Sequence, residues 1–404
     1  MSAGHIRLRG KQSWELKFDT GQDERTGKRI TQFHSFRGTR KEAEFELAEL
    51  VASVGKGSYV NRSQITVGEH VAARIDQWEA LGKITPKTAE RYRELLANQI
   101  KPHIGDKPLQ KLKPADIEQW HATLKTSGRK SGQGGLSART IGHAHRLLSK
   151  ALKEGMRHDL IVRNVAASEQ PPKAEGDVVP LEALQVNALV EKLRGRSMYL
   201  RAIIALFTGI RRAELLAQRW RNVDLDLPNK HLKIRETIEE TKAGLRFKVP
   251  KTANSVRDVS LPNIVIEALR DYRRQQLEQR LALGLGKLPD DALLFPKTDG
   301  SLRSPRAFSK DWADFAESIE MPEITFHALR HTHASHLIDQ GIDVVRISRR
   351  LGHSKPDITL RIYAHLFRKR DDKSAEAIND AVSALFPADG WQSGGNVLVC
   401  SMLN

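Results

Sequence analysis

Between Thr66 and Val165 apolar residues recur at helical spacing behind a series of helix-start signals, and this limits the fold more than any other feature of the chain. Thr85-Pro86 supplies a cap and a first-turn proline ahead of Ala89, Tyr92, Leu95 and Leu96. Pro114 opens a second run with Ile117, Trp120 and Leu124 on its inner side. Ser137 caps a third, in which Ile141, Ala144, Leu148, Ala151 and Leu152 form one stripe. The segment reads as wholly helical. Ser127 to Gly135 is a loop, and Ser168 to Asp177, with Pro171-Pro172, reads as a linker.

The residues before this block follow another period. Trp14, Leu16 and Phe18 alternate with Ser13, Glu15, Lys17 and Asp19, as in a half-buried strand. Gly21 to Gly27 reads as a turn and Lys28 to Arg37 as a further strand. Thr39 can cap a helix that carries Ala43, Leu47, Leu50, Val51 and Val54 on one face. Beyond the linker the pattern is mostly helical, with strand candidates at His231 to Arg235, Arg246 to Val249 and Val256 to Leu261. At 404 residues several domains are expected. The expected boundaries are 1–57, a small sheet with a helix; 64–168, a helical domain; 178–386, a mixed α+β domain; and 387–404, a tail. The fold class is therefore multidomain, mainly α with small β-sheets.

Sixty-six basic residues against 49 acidic ones leave a net charge of +17, which points to a polyanionic partner. The single cysteine, Cys400, excludes an intrachain disulfide and a paired-cysteine zinc site. No run approaches the ~20 apolar residues that span a bilayer. A soluble, cytoplasmic protein without membrane contact is expected. A β-ribbon can enter a DNA major groove. The DNA-contact candidates on the first two segments are Arg7, Arg9, Lys17, Arg29, Lys113, Arg139, Arg146 and Lys150. The opposing reading of such residues is a solvated basic face.

Chemistry concentrates in the third segment. Tyr363 follows Leu351-Gly352-His353 by ten residues and is the candidate nucleophile; its phenol needs neighbouring cations to favour the phenolate. Arg211, within Thr208-Gly209-Ile210-Arg211-Arg212-Ala213-Glu214-Leu215, and Arg330, within His327-Ala328-Leu329-Arg330, offer paired donors suited to one phosphate. Glu214 is placed to orient Arg211, and Arg212 reads as a solvated or DNA-backbone residue. His327 lies three residues before Arg330, on the same face of a helix. His353 is a third phosphate donor. Lys251, in Val249-Pro250-Lys251-Thr252, is the candidate general acid, with Lys242 and Lys248 as competitors. The cluster of His331, His333 and His336 admits a zinc reading, but its spacing assembles no ligand face with His353.

Taken in order, these motifs resemble the tyrosine recombinase family, specifically the phage-type integrases. The resemblance spans nearly the whole chain, tightly in the third segment and loosely in the first. It rests on the Thr208 to Leu215 box, Pro250-Lys251-Thr252, His327-Ala328-Leu329-Arg330-His331-Thr332, Leu351-Gly352-His353 and Tyr363-Ala364-His365-Leu366. It implies an arm-binding first domain built on a three-stranded sheet with a helix, a helical core-binding second and a catalytic third. It further implies a 3′-phosphotyrosine intermediate, protonation of the 5′ oxygen by Lys251, and help with proton handling from His327. No cofactor, metal or ATP is implied. The implied partners are double-stranded DNA at core and arm sites, a homotetramer on that DNA, a host DNA-bending protein and an excision factor. Ala213 stands where the family commonly has glycine or serine. The alternative functions are a catalytically inactive DNA-binding regulator or architectural protein, and a topoisomerase of related mechanism.

Overall fold

The computed structural model describes residues 4–23, 25–57, 59–130, 133–173, 180–226, 230–250, 253–367, 378–380 and 382–383. The chain forms two compact units, Met1–Gly176 and Asp177–Asn404.

The first unit opens with an antiparallel sheet of β1 (His5–Gly10), β2 (Ser13–Gln22) and β3 (Arg29–Arg37) in the order β1-β2-β3. Alternation sends Leu16 and Phe18 of β2 inward, where they meet Ala43 and Leu47 of helix α1 (Arg40–Gly55). Thr39 and Glu42 close a capping box at the start of α1, satisfying two otherwise orphaned N–H groups. The opposite face of the sheet exposes His5 and Arg7 from β1, Lys17 from β2 and Phe33 from β3, with Lys17 paired in register to both His5 and Phe33.

Four helices follow in the same unit: α2 (Val67–Ala80), α3 (Pro86–Leu95), α4 (Pro114–Ser127) and α5 (Ala138–Arg157). Thr85 and Ser137 cap α3 and α5 as their sequence positions suggest, and Pro86 and Pro114 occupy first-turn positions. Their apolar stripes make one core with Ile75, Trp120, Leu124, Ile141 and Leu148 at its centre. Leu96–Gly105 continues α3 as a wider π-type turn enclosing Pro102, which has no N–H to give to a regular ladder. Helical periodicity does not foresee it.

The second unit carries α6 (Ala183–Leu193), α7 (Tyr199–Thr208) and the short α8 (Arg212–Leu216), then two small sheets. Strands β4 (Val223–Asp224), β5 (His231–Ile234) and β8 (Arg257–Ser260) form one in the order β4-β5-β8. Strands β6 (Thr237–Thr241) and β7 (Gly244–Lys248) form a hairpin. β5, β7 and β8 fall within a residue or two of the expected positions. β4 and β6 are additions, too short or too polar to stand out by period alone, and β1 is the third strand that the family resemblance implies for the first segment. Helices α9 (Asn263–Ala282), α10 (Pro305–Ser318), α11 (Phe326–Asp339), α12 (Val344–Leu351) and α13 (Pro356–Phe367) complete the unit. The main core joins α7 and the β5/β8 sheet to Phe308, Trp312 and Phe326. A smaller core under α11, α12 and α13 contains Ala334, Ile338, Ile347, Leu351 and Tyr363. The expected tail, 387–404, lies outside the described residues.

Candidate active site

Two glycines build the floor of the site. Gly209 ends α7 and Gly352 ends α12, both in the left-handed region, with φ of 65° and 67°. That conformation is strained for any other residue, and the space is closed as well. A Cβ on Gly209 meets the Leu351 and His333 side chains at 2.6 and 2.7 Å, and one on Gly352 meets the Arg257 guanidinium at 2.6 Å. The freed carbonyls at these helix ends then receive cations, as the partial negative charge there favours. Arg330 donates to the carbonyls of Gly209 and Leu351 (2.7 Å for the latter), and Arg211 donates through Nη2 to that of Gly352 (2.8 Å). The Thr-Gly-Ile-Arg and Leu-Gly-His motifs are thus two halves of one construction.

Glu214 ties the cations together. Its carboxylate accepts from Arg211 Nη1 (2.7 Å) and backbone N–H (3.0 Å), and from Arg257 Nη2 (2.9 Å). Burial raises the Glu214 carboxyl, but the hydrogen bond and charge of Arg257 and the charge of Arg211 outweigh it and hold the group below its ordinary range. Arg257 also donates through Nε to the Arg350 carbonyl (2.8 Å). Burial, then the charge of Arg211, brings Arg330 down to about 9, so it remains a cation at neutral pH. Three guanidinium groups face one carboxylate, and the surplus positive charge calls for an anion. Arg211, with its side chain 35% exposed, is the member open to one.

His327 and Arg330 both sit on α11; His327 is exposed and Arg330 buried. His327 is lowered by dehydration first, then by the charges of Arg330, Arg211 and Arg212. His353 is buried, accepts or donates at Nδ1 with the Thr359 hydroxyl (2.8 Å), and is lowered to about 3 by burial, then by Arg330, Arg211 and Arg257. Tyr363 of α13 is 3% exposed, with its hydroxyl 2.7 Å from His331 Nδ1. Burial pushes the phenol up to about 12, with Arg330 pulling the other way. Arg211, His327, His353 and Tyr363 therefore each lie within electrostatic reach of Arg330. Lys251 lies outside the described residues. Asn254, three residues further on, donates to the Ser354 carbonyl (3.1 Å) next to His353. Of the competitors, Lys248 is paired with Glu239 (2.7 Å).

Sequence reasoning missed Arg257, a strand residue outside every motif, and His331, weighed only as part of a metal cluster. Arg212 is half-buried and donates to the Ser309 hydroxyl, a correction to its reading as a solvated group. The histidines that a zinc reading would draw on have separate partners: His331 has Tyr363, His333 accepts from Arg350 Nε (3.0 Å), and His353 has Thr359, while His336 is exposed.

Among the other candidates, Arg7 is exposed, Arg9 pairs with Glu15 (2.7 Å) and Arg29 with Asp19 (3.5 Å). Lys17 lies 5.9 Å from the Phe33 ring centroid. Lys113, Arg139 and Arg146 are exposed, Arg146 bonding His143. Lys150 stands 3.9 Å over the Trp78 ring, and burial lowers it from its ordinary value.

Buried arginines gathered at two helix ends, with a tyrosine beside them, form a site suited to an anionic group. Comparison with known proteins gives the chain a family. The phage integrase family matches residues 180–370, and the N-terminal SAM-like domain of phage integrases matches residues 75–125. A XerC-like tyrosine recombinase of Caldanaerobacter subterraneus is 26% identical, covering 92% of this chain and 97% of its own length. An integrase of Streptomyces ambofaciens is 29% identical over 89% of this chain and 90% of its own. The Tn1549 transposon integrase, solved with a circular-intermediate DNA, superposes with a TM-score of 0.64 at 21% identity, covering 79% of this chain and 99% of that one. The chain belongs to the phage integrase family of tyrosine recombinases. No helix among the described residues is long and apolar enough to cross a membrane.

Proposed function

We propose that the chain integrates or excises a mobile element by cutting and rejoining DNA at specific sites through a 3′-phosphotyrosine. Arg211, Arg330 and His353 hold the non-bridging oxygens of the scissile phosphate. Tyr363 attacks phosphorus, the P–O5′ bond breaks, and Lys251 gives a proton to the departing oxygen; His327 assists proton handling. The ester bond is conserved in the adduct, so strand exchange needs neither ATP nor a metal. Residues 1–57 bind arm-type sites through the exposed basic face of the sheet, 64–168 bind the core site, and 178–386 carry the chemistry. Four protomers assemble on two duplexes, helped by a host DNA-bending protein and an excision factor, in the nucleoid-associated cytoplasm. Entry into a genome with a virus is one form of this activity.

The observation that carries this reading is the Arg211–Glu214–Arg257 network beside Arg330, a positive cluster built on two glycine-ended helices next to a tyrosine. The test is recombination of paired attachment sites, taken from the DNA flanking the gene, by purified protein in EDTA without nucleotide. Recombinant product from the unaltered chain and none from Tyr363→Phe is expected. Product formed by Tyr363→Phe contradicts the reading.

A further inference from the structure

We propose that His331 is the proton acceptor that activates the Tyr363 phenol, and that the bound phosphate switches it on. The inference rests on the phosphotyrosine reading above and deepens it. Among the described residues the hydroxyl of Tyr363 has one side-chain hydrogen bond, 2.7 Å to His331 Nδ1. With the imidazole proton on Nε2, the phenol donates to the Nδ1 lone pair, the geometry a general base requires. His331 is itself buried, and its ring meets His327 edge-to-face at a centroid distance of 4.7 Å. The acceptor therefore lies between the nucleophile and the exposed histidine of the same helix.

In the free protein this pair is at rest. The phenol is pushed up to about 12 and the imidazole down to about 4, by burial first and then by His327 and Arg330. Both groups are neutral, and proton transfer is strongly uphill. The charged or titratable groups acting on His331 are His327 and Arg330 of its own helix, Tyr363 of α13, and His353 beside α12. From α7, the ionisable side chains are Tyr199 and Arg201, and Arg201 lies over the Phe295 ring. The network is cationic, so an arriving phosphate offsets the charges that disfavour an imidazolium. The step balances. The phenol proton passes to Nδ1 as the phenolic oxygen bonds phosphorus, the P–O5′ bond breaks, and the 5′ oxygen takes a proton from Lys251. Rejoining reverses each transfer.

The test is single-turnover adduct formation on two nicked core-site substrates, one with an oxygen and one with a sulfur at the 5′-bridging position. Sulfur departs without a proton, so Lys251→Ala recovers on that substrate. His331→Asn keeps an acceptor near the Nδ1 position but cannot take a proton, and it is expected to remain about 10²-fold slow on both. His331→Gln serves as the second variant, and melting curves and core-site binding exclude misfolding. In the unaltered protein the sulfur substrate should show a rate that falls as pH drops and the base becomes occupied. That limb should be missing from His331→Asn. The proposal is overturned by near-normal rates in both variants, or by an acid limb that persists unchanged in His331→Asn, while Tyr363→Phe still forms no adduct. An adduct in Tyr363→Phe overturns the underlying phosphotyrosine reading instead.

Discussion

Arg330 in the second unit and Arg9 in the first carry the same guanidinium and keep it in opposite surroundings. Arg330 is 4% exposed and spends its donors on two backbone carbonyls, while neighbouring Arg211 and Arg257 share the Glu214 carboxylate. Arg9 stands with its side chain half exposed and pairs with Glu15 across the sheet surface, a contact worth little in water. The difference separates two uses of one residue type. Internal partners fix the position of a cation before any DNA arrives, so that it costs no reorganisation in the transition state. Solvated cations leave their positions loose and contribute attraction through release of counterions. Removing a cation from each region should therefore have different consequences.

The largest effect is expected at the hub of the buried network. Glu214→Ala leaves Arg257 buried without its carboxylate, and removing one partner of such a pair costs about 3–5 kcal/mol. Urea melts should show that loss in the second unit, and adduct formation should fall with it; an unchanged midpoint would mean that the network is not structural. Arg330→Lys keeps the charge but loses the planar fork that reaches Gly209 and Leu351 together. Its adduct rate should drop by about 10²–10³-fold, the range for losing one well-placed donor, with core-site affinity nearly intact. A rate near normal would show that charge alone suffices.

Acid should also separate the two units. His331, His333 and His353 in the second are lowered to about 4, 3 and 3, and His145 in the first to about 4, each with burial as the main cause. Their unfolded value is about 6.5, so as pH falls the unfolded chain takes up protons first. The stability held by these neutral rings is complete above about pH 6.5 and declines toward pH 4 and 3. Melts between pH 7.5 and 4.5 should show the second unit losing more than the first; equal loss would remove this distinction. The smallest effect belongs to the exposed face. Arg7→Ala should weaken DNA binding several-fold, uniformly across sequences, and reduce the salt slope by about one. Its adduct rate at saturating protein should be unchanged.

Much of this was legible in the chain. Caps at Thr39, Thr85 and Ser137 act locally, and so their helices start where the residues indicate. The pairing of Thr-Gly with Arg211, and of Leu-Gly with His353, was visible as spacing because a helix end and its glycine are sequence neighbours. Arg257 was not, since its partner Glu214 lies 43 residues away and only the fold joins them. His331 was hidden by its company: within a run of four histidines on α11, spacing does not tell which ring faces the phenol of α13. The turn around Pro102 escaped because helical periodicity continues through it while the hydrogen-bond ladder changes.

The central claim concerns one oxygen atom. Trapping the protein on a suicide core site, digesting it and sequencing the DNA-linked peptide by mass spectrometry reads that atom directly. The peptide should contain Tyr363, joined to the 3′-phosphate end of the cleaved strand. Linkage through another residue, or to a 5′ phosphate, would contradict the account.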